Sequence, residues 1–251
     1  VPSLFVGLAG FEWTHRTQGH VNIFGTNALI TRDQPATSTI EGLLTWLAGQ
    51  PQALAQFNHP GLGDSFAGAG DSGPNGGLVR LQEVGNGSGS SKTYRLFEDE
   101  LLQAWSNGWR VAPTIGSDSH DQYWGTDTQA RTGIWAASLN APELLAALRA
   151  GRAFATEDAN LAIAWRCGDA WMGGESLPEA AAQCLAYYWD GELASLSLLS
   201  FTGQTLAQWQ LTPGAEQPFP WPSGASAAWL HLVQADGNKA WAPPIWLATG
   251  Q

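Results

Sequence analysis

The chain has 251 residues, with 22 acidic against 11 basic side chains and a formal net charge of −11. That balance argues against binding long nucleic acid or an anionic membrane by electrostatics, so neither a nucleic acid polymer nor a membrane is expected as a partner. With 44% hydrophobic and 13% charged residues it is a globular chain with sizeable cores, and it holds no apolar run of 18 residues that would span a bilayer.

Val1 to Ala9 is apolar, lacks a basic leader and reads as a buried strand rather than a signal peptide. Glu12 and then His15 and Arg16 follow, and Gly19 to Gly25 reads as a second short strand opened by His20. Thr39 to Leu47 has Ile40, Leu43, Leu44 and Leu47 at helical spacing. Ala53 to Asn58 leads as a strand into His59-Pro60, where proline biases the histidine towards extended backbone. Gly61 to Gly77 is loop, Leu78 to Val84 strand, and Tyr94 to Asn107 a helix stopped at Gly108. Trp109 to Ile115 is a strand delivering Gly116-Ser117-Asp118-Ser119-His120. Gln122 to Gln129 is polar loop and Gly133 to Ala137 strand. Asn140 caps a helix over 142–150 that ends at Gly151, and Phe154 to Thr156 is a last short strand. Up to here strands and helices alternate, which predicts a parallel α/β barrel or sheet over 1–159.

From residue 160 to 251 the texture changes. Strand-like runs recur at 161–166, 184–189, 193–201, 205–211, 229–234 and 244–248, punctuated by Asp190-Gly191, Thr202-Gly203 and Asp236-Gly237. This predicts a small antiparallel β module. Cys167 and Cys184 have no zinc-ribbon spacing and form either a disulfide or two buried thiols. Most of the 14 Trp belong in cores.

The chemistry gathers at a few positions. On an extended segment residues i and i+2 share a face, so Asp118 and His120 would project together, one hard oxygen and one imidazole aimed at one point. Glu12, His20, His59, Asp118 and His120 all lie at or near strand ends, which converge on one face in α/β folds. Three histidines and two carboxylates are a metal-site composition, suited to Zn, Mn or Fe. His15, Arg16 and Arg131 are candidates for contacting substrate, although solvent-facing or salt-bridged roles suit them equally. His231, in the β module, reads as structural. No Gly-x-Ser-x-Gly elbow surrounds Ser117 or Ser119, so a serine nucleophile is not indicated.

Five motifs in series, Gly-Phe-Glu-Trp-Thr (10–14), Gly-His-Val-Asn (19–22), Asn-His-Pro-Gly (58–61), Gly-Ser-Asp-Ser-His (116–120) and Ala-Leu-Arg-Ala-Gly-Arg-Ala-Phe-Ala-Thr (147–156), resemble the polymerase and histidinol phosphatase (PHP) superfamily, nearest its carbaryl-hydrolase-like branch. The resemblance implies a (β/α)7 barrel with up to three divalent transition metals, Zn, Mn or Fe, at its C-terminal strand ends. It implies hydrolysis of phosphate esters by a metal-activated water, with carbamate or carboxylic esters as the alternative small-molecule substrates. Carried over, Glu12 is the carboxylate shared between metals, His20 and His59 complete one site with it, and Asp118 and His120 belong to two others. Glu12, His20, Asp118 and His120 become the catalytic set. The family's opening His-x-His segment is missing. The expectation is therefore a barrel incomplete at its N-terminus, completed in a longer product or by a separate N-terminal fragment, with one metal or none held by these residues alone. The rival reading is a non-catalytic binding module with a degenerate metal site.

Overall fold

The computed structural model describes residues 5–62, 72–87, 93–122, 124–178 and 183–248. Its first sheet is built outward from a hairpin. Strands β1 (Gly10–His15) and β2 (Gly19–Phe24) pair antiparallel, and β3 (Leu54–Asn58) pairs antiparallel with β2. Strands β4 (Val79–Asn86) and β6 (Ala112–Gly116) then add in parallel, with the short β5 (Arg95–Leu96) antiparallel on β4.

Three helices accompany these strands. In α1 (Ile40–Ala48) the Thr39 side chain accepts the Gly42 N–H, and in α3 (Ala141–Arg149) Asn140 accepts the Glu143 N–H, each satisfying a donor that the first helical turn leaves open. Helix α2 (Glu98–Ser106) starts later than its periodicity predicts, because Arg95 and Leu96 are drawn into pairing with Asn86 and Gly85.

The (β/α)7 barrel is overturned. Strand residues far outnumber helical ones, at 40% against 14%, and no sheet closes into a barrel among the described residues. A barrel of that type needs parallel strands each followed by a crossover helix of a dozen or more residues. Between β1 and β2 lie only residues 16–18, and the two strands run antiparallel. Nor does the expected opening strand form: residues 5–9 are irregular, with Phe5 82% exposed, and residues 1–4 lie outside the described ones.

The C-terminal half is a β-sandwich. A seven-stranded sheet contains β7 (Arg131–Ile134), β8 (Ala153–Thr156), β11 (Glu175–Ser176), β13 (Ala194–Leu199), β14 (Thr205–Leu211), β16 (Ala227–Gln234) and β17 (Lys239–Leu247). A four-stranded sheet contains β9 (Ala162–Cys167), β10 (Ala170–Trp171), β12 (Cys184–Trp189) and β15 (Glu216–Phe219). All the described pairings here are antiparallel except β11 on β17. Strands β7 and β8, which precede residue 160, join the larger sheet through β8 and β17. Ile163, Trp165 and Tyr188 from one sheet meet Leu196, Leu230 and Leu232 from the other in a buried core. Cys167 and Cys184, directly opposite on β9 and β12, form a disulfide.

Helix α2 lies between the halves. Leu101, Ala104 and Trp105 share one buried cluster with Val84 and Phe57 of the first sheet and with Leu199, Trp229 and Trp241 of the second. Trp105 packs 5.3 Å from Trp229, and the Trp241 indole donates to Glu98 at 2.6 Å. Helix α1 covers the same face of the first sheet through Leu43, Leu44 and Leu47. On the opposite face Leu54, Leu81 and Ala112, at the start of the three parallel strands, pack with Leu148 of α3. That apolar layer stops part-way along the strands, and polar side chains occupy the rest of the face.

Candidate metal centre

The polar end of this face follows from strand register. Glu12 pairs with Asn22 and Asn22 with Gln56, while Thr14 pairs with His20 and His20 with Asn58. Directly paired residues share a face, so carboxylate, amides and imidazole line up across three strands. The neighbouring parallel strand adds Glu83 and Asn86, both buried. These groups lie at the C-terminal ends of β3, β4 and β6, where open α/β sheets hold their ligands. Asn58 ends β3 and Asn86 ends β4, whereas Glu12 lies within β1 and His20 at the start of β2.

Glu12, His20 and His59 offer ligand atoms that all lie within 4.8 Å of one another. His20 Nδ1 stands 3.4 Å from Glu12 Oε1, and the rings of His20 and His59 meet edge to face at 4.8 Å. Tetrahedral bonds of 2.0–2.1 Å to nitrogen and oxygen put neighbouring ligand atoms about 3.4 Å apart. The Glu12–His20 pair thus has metal-ligand spacing, and an inward movement of His59 would complete a three-ligand site with an open position. Asn58 steadies Glu12 by donating to Oε1 at 2.9 Å, and Gln56 in turn donates to Asn58 Oδ1 at 2.9 Å. Such outer partners orient metal ligands.

Asp118 and His120 face the same pocket, a cleft of about 310 Å³ whose walls include Glu12, Asn58, Glu83 and Gly116. Asp118 Oδ1 lies 2.9 Å from His120 Nε2. They meet through a left-handed turn, Asp118 having φ 52°, and not on an extended segment, since β6 ends at Gly116. His59 has φ 31°. Two non-glycine residues in that costly region, each just past the end of a parallel strand, mark backbone held in place for its side chains.

Glu83 is the residue that sequence reading missed. It is 4% exposed and its Oε2 accepts from the His59 backbone N–H at 2.7 Å and from Asn86 Nδ2 at 2.9 Å. Burial pushes its pKa up to about 7, helped by the nearby Asp118 charge and opposed by the His59 and Asn86 hydrogen bonds. Gly116 closes over it: any Cβ there would run into Glu83 Oε1. The available signal was a carboxylate near the end of the strand-like stretch Leu78 to Val84, which becomes a central strand of the first sheet.

None of the three expected substrate contacts, His15, Arg16 and Arg131, is among the residues that line the cleft. His15 stacks on Trp13 at 5.6 Å, and its Nδ1 accepts the Thr17 and Gln18 N–H groups, so it shapes the β1–β2 turn. Arg16 is exposed in that turn. Arg131 donates to the carbonyls of Thr128, Ala130 and Gly125, bracing the loop before β7. Where up to three metals are expected, Glu12, His20 and His59 form the one cluster of three or more ligands among the described residues. His231 lies between Trp229 and Trp241, away from this cleft. No protein-family model matches the chain, and no curated protein is significantly similar to it.

Proposed function

We propose that the chain is a metal-dependent hydrolase of small esters, with a divalent Zn, Mn or Fe held by Glu12, His20 and His59. The observation that carries this reading is the convergence of those three side chains within 4.8 Å, beside a cleft that also presents Asp118 and His120. A metal held there supplies Lewis-acid activation of water and of the ester oxygen. The chain's own groups do the rest. Asp118 fixes the His120 ring through Nε2, so that Nδ1 would take a proton from the attacking water and pass it to the departing alkoxide or phenoxide. Asn22, beside Glu12 in the cleft, offers an amide donor to the oxygens of a bound ester. The tight turns at His59 and Asp118 fix the approach of both groups before substrate arrives.

Phosphate esters are the first substrate class, because a divalent ion offsets their charge. A second class, carbamate or carboxylic esters, is favoured by the walls themselves: the described lining carries Glu12, Glu83 and Asp118 and no Lys or Arg.

Elemental analysis of the wild type and of Glu12→Gln, His20→Ala and His59→Ala variants tests the metal. One transition metal per chain is expected, with more than about a hundredfold weaker binding in each variant, beyond the loss that an outer partner causes. Hydrolysis of an aryl phosphate, an aryl carbamate and an aryl ester should vanish on chelation and return with metal. A wild-type protein that takes up no stoichiometric metal would support the non-catalytic binding module instead. Turnover persisting after complete metal removal would refute the mechanism.

A further inference from the structure

A second pocket, of about 390 Å³, opens at the other end of the same strands. Its walls include Leu47 in the last turn of α1, Gln50 just after that helix, Leu54 at the start of β3, Leu78, and the guanidinium-bearing side chains of Arg80 and Arg149. Leu54 and Asn58 are four residues apart on β3, so about 13 Å separates this pocket from the metal cluster.

Its charge is out of keeping with the rest of the molecule. In a chain of net charge −11, Arg80 and Arg149 share one pocket, and Arg110 is close enough to act on Arg80 as a like charge. Arg110 is paired with Glu175 and stacked on Trp246. Arg149 donates to the Gln52 carbonyl. The Nε atoms of both Arg80 and Arg149 are buried and have no hydrogen-bond partner among the described residues. A buried guanidinium donor without an acceptor is destabilising, because its lost hydration is not replaced. Burial and the charge of Arg110 both lower the pKa of Arg80, which is the mark of a cation held against its own electrostatics. The C-terminal turn of α1 faces the pocket and its carbonyls favour cations, but that amounts to about half a charge against two full ones.

We propose that Arg80 and Arg149 form a binding site for a small oxyanion, phosphate or the phosphate group of a phosphomonoester. The planar guanidinium fork matches phosphate oxygens in pairs. A bound dianion would offset the like charges of the two guanidinium groups that line the pocket. The rest of the wall is apolar or amide, which leaves room for a small organic group attached to the phosphate.

The probe is inorganic phosphate, titrated at constant ionic strength against chloride, with the melting temperature as readout and phosphorus NMR linewidth as a second measure of binding. A saturable rise of about 5 °C is expected near a hundredfold excess over Kd. The rise should persist after chelation, which separates this pocket from the metal cluster. Arg80→Met and Arg149→Met should each weaken phosphate by tenfold or more, on the order of one lost charged pair. Without phosphate, Arg80→Met should melt no lower than wild type, since it removes a buried unpaired charge. A phosphate effect no larger than that of chloride, one abolished by chelation, or one retained in both variants would overturn the assignment.

Discussion

The sandwich core and the polar end of the first sheet are built from the same secondary structure but bury opposite things. Between β9, β12, β13 and β16 the buried side chains are Ile163, Trp165, Leu196 and Leu230, and the occasional polar handle is paired locally, as when Trp165 donates to the Pro243 carbonyl at 2.9 Å. Across β2, β3 and β4 the chain buries Gln56, Asn58, Glu83 and Asn86, and holds His59 and Asp118 at positive φ. Burying polar groups and straining backbone both cost stability. An apolar sheet face would be the cheaper solution, and the same chain adopts it a few strands away. The contrast is what supports reading the polar end of the first sheet as the proposed site.

The largest expected effect sharpens the contrast from the dry side. Trp165→Ala should lower the unfolding free energy by about 3–5 kcal/mol, measured by urea titration, while leaving metal affinity unchanged. A matching loss of metal binding would show that the regions are not separable. Next, removing the Cys167–Cys184 bond by a double change to Ala should cost about 3 kcal/mol, the value for a loop of similar length to the 17-residue separation here. Tolerance of that loss with no shift in the urea midpoint would place the sandwich's stability in its apolar core alone.

On the polar side, Gly116→Ala pushes a methyl group into Glu83. It should cost about 1–3 kcal/mol and weaken metal binding through the displaced Glu83–His59 contact. Unchanged metal affinity would break the link drawn here between Glu83 and the cluster. The smallest effect concerns His231, packed between Trp229 and Trp241 with Glu98 and Lys239 nearby. Burial lowers its pKa, Lys239 adds to that and Glu98 opposes it. The unfolded chain then binds the proton first as pH falls below about 6.5, so the fold loses stability on the acid side. His231→Phe should flatten that loss between pH 7.5 and 5.5 in denaturant titrations, and an unchanged slope would assign the acid sensitivity to other groups.

How much of this was legible depended on the range of the signal. The cap at Asn140 was local and readable, and so was β14, whose bounds Thr205–Leu211 match the sequence pattern. Glu12, His20 and His59 were visible as ligand types, and register brought them together. The barrel was not there to be read. Alternating strand and helix patterns do not encode whether neighbouring strands run parallel, and the turn at residues 16–18 reversed the chain where a barrel needs a crossover. Glu83 was hidden for a related reason: its meaning comes from His59 and Gly116, both more than 20 residues away along the chain.

The pairing of β8 with β17 has a consequence during synthesis. Thr156 and its partner Ala240 lie some 80 residues apart. At ribosomal rates of 5–20 residues per second, β8 waits roughly 4–16 s for that partner. In that interval the buried Ala153-Phe154-Ala155 segment has β7 on one edge and an unpaired ladder on the other. The emerging chain therefore carries an open strand edge until β17 has been made, so chaperone demand should fall in the interval between the synthesis of β8 and that of β17.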